Sequence, residues 1–196
     1  MEQVSKKETE IILAEAEKCL VVPGDIVELG CYRGDTSLLL GRMLADAEKA
    51  EKISECEKRL WIYDSFQGLP EKTAEDASVA GDEFQKGELM VTKNFVVTRF
   101  KKAGLRVPIT KKAFFQELCA ADLPEKIAFA FLDGDLYESI KVSLRLIEEK
   151  ILGTIIVHDY NNEKLPGVAR AVNQWRQKNP EWKKEIRETM LIMRRD

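Results

Sequence analysis

The residues best suited to chemistry stand where short apolar runs stop. Glu28-Leu29-Gly30, Asp64-Ser65, Asp133-Gly134-Asp135 and His158-Asp159 each follow or close such a run. Buried strand ends are poor places for unpaired carboxylates, so this repeated placement is not what scattered surface charge produces. Carboxylates gathered in this way can accept hydrogen bonds from ligand hydroxyls, hold a hard cation, or take a proton. His158 is the chain's one histidine and adds an imidazole to the set.

The elements that must position these groups alternate between strand and helix. Ser5 and Glu8 form a capping-box pattern, and Ile12, Ala16, Cys19 and Leu20 follow at helical spacing, so the first twenty residues predict one amphipathic helix stopped by Pro23-Gly24. Strands are expected over 25–29, 60–63, 106–109, 127–132 and 154–157, the 106–109 strand at an edge because of Pro108. Helices are expected from Asp35, around Phe95 to Gly104, over 114–120, around Ile140 to Ile147, and from Val168 to Asn179-Pro180. Residues 66–83 read as a long, partly mobile loop, and the tail reads as a closing hairpin. Consecutively apolar strands with helices between them predict a mostly parallel α/β sheet covered on both faces. The chain divides into an N-terminal helix, 1–22, and a single domain, 23–196. No repeat interrupts it.

In such sheets ligands bind outside the carboxyl ends of the strands. Gly30 would let the backbone turn and approach a ligand without a Cβ, and Gly34 gives the same relief before a helix whose N-terminus can meet an anionic group. An isolated E-x-G-x-x-x-G is equally a βα turn with no ligand. Asp64, ending the second strand, is placed to accept hydrogen bonds from ribose hydroxyls; a cap or turn is the alternative. A nicotinamide dinucleotide calls for G-x-G-x-x-G, and Tyr32 stands where the second glycine belongs. Adenosine with a short amino-acid tail fits that loop better.

Longer strings carry a family resemblance. Val22–Gly34, Tyr63-Asp-Ser-Phe-Gln-Gly-Leu-Pro70, Phe131-Leu-Asp-Gly-Asp-Leu-Tyr-Glu-Ser139 and Val157-His-Asp-Tyr160 with Pro166-Gly167 resemble the macrocin O-methyltransferase family of class I methyltransferases. The resemblance implies a Rossmann-like, seven-stranded, mostly parallel sheet with an antiparallel last strand. It also implies S-adenosylmethionine as donor, a divalent metal (magnesium or manganese), and a sugar-like small molecule as hydroxyl acceptor. By position, Glu28 and Gly30 would line the methionine end of the cofactor, with Cys31, Tyr32 and Gly34 in the same loop. Asp64 would hold the ribose, with Ser65 near the adenosine. Asp133 and Asp159 would be metal ligands and Asp135 the general base. The family commonly shows two consecutive aspartates where this chain has His158-Asp159, so His158 is either a third ligand, a base in a metal-independent site, or a satisfied polar residue. Its imidazole would favour manganese, iron or zinc over magnesium. The N-terminal region is also short for the family, and a catalytically inactive, cofactor-binding relative is a further alternative.

The sulfonium of that donor is already a strong electrophile, so the protein has mainly to align an in-line attack and dispose of the hydroxyl proton. Asp135-Leu-Tyr-Glu138 is also a candidate N-cap box for the following helix. Tyr32, Tyr137, Tyr160 and Trp175 either line an acceptor pocket or pack in the core. Cys31 is read as adjacent to the cofactor rather than as a nucleophile.

Composition excludes several classes. With 31 Lys+Arg against 34 Asp+Glu the net charge is −3, which gives no basic surplus for nucleic acid. No apolar run approaches the ~20 residues of a membrane span, and residues 1–10 lack a signal-peptide core. Cys19, Cys31, Cys56 and Cys119 are too scattered for a zinc ribbon and are expected as reduced thiols of a cytoplasmic protein. A homo-oligomer is compatible with these features.

Overall fold

The computed structural model describes residues 4–54 and 57–195. Seven strands form one sheet: β1 (Asp25–Leu29), β2 (Leu60–Asp64), β3 (Ile109–Lys112), β4 (Ile127–Leu132), β5 (Ile151–Val157), β6 (Lys183–Arg187) and β7 (Met190–Arg194). Their order is β3-β2-β1-β4-β5-β7-β6, with β7 antiparallel to both neighbours and β3, β2, β1, β4 and β5 mutually parallel. This is the expected seven-stranded sheet with its reversed last strand. The order reverses at β1 and β4, and crevices open beyond such a switch point.

Among the described residues five α-helices cover the sheet: α1 (Lys6–Lys18), α2 (Asp35–Lys49), α3 (Lys93–Lys102), α4 (Tyr137–Ile147) and α5 (Pro166–Lys178). Alternation along each strand splits the core in two. Ile26, Ile62, Phe129 and Phe131 pack with Ile12, Leu40, Val96 and Phe100 from α1, α2 and α3. Val27, Leu29, Ala130 and Leu132 pack with Ile140, Leu144, Val168 and Val172 from α4 and α5. Both faces of β4 are therefore fully buried, which is why its sequence is apolar without interruption.

Several expectations need correction. Residues 114–120 do not form a helix; two 3₁₀ turns, Phe115–Glu117 and Ala120–Asp122, stand there, each closed by its own acidic residue. The edge strand begins at Ile109, after Pro108, because a proline has no N–H to give the ladder. The fifth strand starts at Ile151, three residues earlier than expected.

The segment after β2 is tied down rather than loose. Leu69 exchanges backbone hydrogen bonds with Gly87 and Glu88, and the Ser78 hydroxyl donates to the Glu163 carbonyl at 2.8 Å. Its main anchor is Asp76. One carboxylate oxygen accepts from Tyr137 N at 2.7 Å, and the other accepts from Thr73 N and Oγ1 at 2.9 and 3.0 Å. Asp76 thus caps α4 from 61 residues away, and Asp135 does not, since Leu136 occupies the N-cap position with no side-chain cap bond. Gly167 makes room: a Cβ there would lie 2.0 Å from Asp76 Oδ1. Asp76→Ala is expected to cost about 1–3 kcal/mol, a lost cap plus a stranded N–H. A lowered urea midpoint and faster proteolysis within 66–92 are the measurements; an unchanged cleavage pattern would refute the anchoring role.

Candidate active site

The carboxyl ends of β1, β2, β4 and β5 bring the expected residues together. Each loop first extends its strand's ladder by one bond: Gly30 N donates to Tyr63 O, Asp133 N to Leu29 O, and His158 N to Leu132 O, all within 2.8–2.9 Å. The register of the sheet therefore sets the relative heights of the three loops.

Gly30 is required by the packing of the two loops themselves. Its φ is +92°, and a Cβ there would meet the Asp133 carbonyl oxygen at 2.0 Å. The missing side chain lets the β1 loop lie against the β4 loop, and Gly30 also lines the cleft. Tyr32 then turns with φ +44°, and Gly34 with φ +75° leads into α2. Gly34 is the N-cap of α2 and offers no side-chain bond, so the helix presents its first N–H groups uncapped.

Asp64 organises that loop. Its Oδ2 accepts from Cys31 N at 2.9 Å and Tyr32 N at 3.2 Å, while Oδ1 accepts from Phe66 N at 2.7 Å. Three donors hold the carboxylate rigidly, and it still lines a cleft with lone pairs to spare. Ser65 lines the same cleft and donates to Gly68 O at 2.7 Å. Phe114, Phe115, Leu69 and Leu89 line it as well. These apolar residues escaped the sequence reading, because a helix assignment over 114–120 conceals an aromatic pair displayed by a turn.

Asp133 and Asp135 enter this cleft from the β4 loop, Asp135 with φ +58°. Burial, and then the charges of Asp133 and Asp159, hold the Asp135 carboxyl well above the usual carboxylate range. Cys31, Tyr32 and Asp133 also border a second, larger cavity of about 510 Å³ that runs over the start of α2 past Glu28, Arg33 and Thr36. Glu28 is 1% exposed and accepts from the Ser37 hydroxyl in the first turn of α2. Burial pushes its pKa up to about 8. Burial also raises the Cys31 thiol, with Asp64 adding to the effect, so the sulfur stays protonated and is no nucleophile. The described cysteines, Cys19, Cys31 and Cys119, are free thiols; Cys56 lies outside the described residues.

Asp133, His158 and Asp159 converge. His158 Nδ1 lies 3.0 Å from Asp133 Oδ1 and 2.9 Å from Asp159 Oδ2, and one ligand atom from each residue falls within 4.8 Å of the others. Both ring nitrogens are buried without a well-directed hydrogen bond. A nitrogen at ion-pair distance from two carboxylates suits a charged imidazolium and, once deprotonated, a cation shared among the three. Burial works against a charged ring, but Asp133, Asp159 and Glu8 outweigh it and hold the His158 pKa well above its ordinary value. The four aromatics that could line an acceptor pocket or pack in the core fall in different places. Tyr137 donates to Gln174 and Tyr160 to Asn173, and Trp175 packs on Trp182; Tyr32 alone of the four lines the cleft.

The pattern of the macrocin O-methyltransferase family (TylF) matches residues 7–190. The chain belongs to that family. Over 147 residues it is 31% identical to a Streptomyces olivaceus tetracenomycin-rhamnoside 4'-O-methyltransferase, covering 71% of this chain and 54% of that protein. Over 167 residues it is 32% identical to the Streptomyces niveus demethyldecarbamoylnovobiocin O-methyltransferase, covering 80% and 60%. It therefore spans somewhat over half the length of these curated relatives. The solved structure of the O-methyltransferase NovP superposes with a TM-score of 0.76 at 25% identity, covering 96% of this chain and 80% of that one. Family membership replaces the nicotinamide alternative. No helix among the described residues is long and apolar enough to cross a membrane.

Proposed function

We propose that this protein transfers the methyl group of S-adenosylmethionine to a hydroxyl of a sugar-bearing small molecule, with a divalent cation at Asp133, His158 and Asp159. The observation that carries the reading is the single cleft in which Asp64, the 30–32 loop, Asp133 and Asp135 meet. Relatives that methylate a rhamnosyl group and a novobiocin precursor support the acceptor class.

Asp64 holds the ribose, and Phe114 and Phe115 offer apolar surface to the adenine. The uncapped start of α2 faces the carboxylate of the methionine end, and Glu28 faces its ammonium. Asp135 accepts the proton of the attacking hydroxyl as the C–S bond gives way to C–O. The cation, when bound, lowers the pKa of that hydroxyl and fixes its direction. His158 serves as ligand rather than base, because at 4% exposure it lies outside the cleft that Asp135 lines.

Thermal shift tests the reading. S-adenosylhomocysteine at about 100 Kd is expected to raise Tm by roughly 5–10 °C, from ~2.7 kcal/mol of linkage. Asp64→Ala should abolish most of that rise. Stabilisation by NAD alone, or an undiminished shift in Asp64→Ala, would sink the cofactor assignment. Manganese or magnesium should add to the shift and a chelator remove the addition.

A further inference from the structure

The N-terminal helix reaches the same centre from below. Glu8 is buried and its two carboxylate oxygens do different work. Oε2 completes the capping box of α1, accepting from Ser5 N at 2.9 Å and Ser5 Oγ at 2.7 Å. Oε1 turns away, accepts from Thr189 Oγ1 at 2.5 Å in the β6–β7 turn, and lies 3.7 Å from His158 Nε2. Among the described residues the ion contacts of Nε2 go to Glu8, and those of Nδ1 to Asp133 and Asp159. The two nitrogens of the ring thus face two separate sets of carboxylates.

We infer that Glu8 is a positioning residue for His158, fixing the imidazole so that Nε2–H points to Glu8 and the Nδ1 lone pair points to Asp133 and Asp159. A histidine that ligates through one nitrogen needs an acceptor for the other, or the ring rotates and the wrong tautomer competes. Among the described residues the carboxylate that Nε2 approaches is that of Glu8 in α1, and Thr189 keeps it from turning away. At 3.7 Å the contact is longer than a hydrogen bond, and an approach to about 3 Å would make one. The chain thereby recruits its N-terminal helix to support a ligand that is an imidazole rather than a carboxylate. A second carboxylate at position 158 would have no use for Glu8 and would be repelled by it. This inference rests on the cation site proposed above.

The test uses Mn²⁺ alone, titrated into the full chain by calorimetry and followed by electron paramagnetic resonance. Glu8→Gln preserves the capping box, since glutamine serves there as well as glutamate, but places a donor or an uncharged oxygen opposite Nε2. It is expected to weaken Mn²⁺ binding about 10–100-fold while S-adenosylhomocysteine affinity stays within twofold. In a His158→Asp background the same Glu8→Gln change should leave Mn²⁺ affinity equal or improved. An equal loss in both backgrounds shows that Glu8 acts through the fold and overturns the inference. Unaltered Mn²⁺ affinity in Glu8→Gln overturns it as well. If the parent protein binds no Mn²⁺, the cation site fails and the Glu8 role fails with it.

Discussion

Asp135→Asn is expected to bind S-adenosylhomocysteine as tightly as the parent chain and to methylate its acceptor about 10²–10⁴-fold more slowly, the usual worth of a general base. The two readouts separate because Asp135 lines the cleft without making any of the bonds that shape the 30–32 loop, which belong to Asp64. The capping of α4 does not confuse the result. That duty falls to Asp76, so a slower Asp135→Asn enzyme cannot be explained by a frayed helix. Asparagine is nearly isosteric and tolerates the positive φ of this position, so the fold should be retained. Calorimetry with S-adenosylhomocysteine and initial rates on a panel of glycosides supply the measurements. Turnover equal to the parent's on an accepted glycoside would remove Asp135 from the chemistry.

Glu28→Gln is expected to exchange cofactor affinity for stability. The Glu28 pKa is raised by burial from 4.5 to about 8, so the folded state holds its proton where the unfolded chain has released it. The sign follows directly: a raised folded-state pKa contributes stability that is complete below about pH 4.5 and is lost as the pH rises through about 8. At 1.36 kcal/mol per unit the loss is on the order of 3–5 kcal/mol. Glutamine keeps an oxygen for the Ser37 hydroxyl and has no proton to lose. Its unfolding free energy without ligand should therefore be nearly flat from pH 5 to 8, where the parent's falls. Above about pH 8, where Glu28 ionises, the variant should also bind S-adenosylmethionine at least tenfold more weakly, because glutamine cannot supply the charge that faces the methionine ammonium. Parallel pH profiles for the two proteins would show that Glu28 is not protonated in the fold.

Both expectations depend on distinctions that differ in how far they can be read from the chain. The acids at the ends of apolar runs, the Gly30–Gly34 spacing and the alternation of strand and helix are local patterns, and they put Glu28, Asp64, Asp133, Asp135 and His158-Asp159 at the carboxyl ends of strands. Such patterns are legible because a buried strand must be apolar and its end must face the crevice. The capping box at Ser5 and Glu8 is legible for the same reason, being a contact between residues three apart.

Contacts between distant segments were not legible. Nothing near Asp76 signals that it caps a helix 61 residues later, and Asp135-Leu-Tyr-Glu138 carries a local cap pattern that the tertiary structure overrides. Gly30 was rightly singled out, yet what fills its Cβ position is a carbonyl from β4 that lies beside it only in the assembled sheet. Glu8 read as a cap and nothing more, because its second oxygen meets Thr189 some 181 residues away. Periodicity and turn chemistry determined which elements form and which residues sit at their ends. Only the packing of α1 and the 66–92 segment onto the sheet decided that Asp76 caps α4 and that Glu8 meets Thr189 and approaches His158.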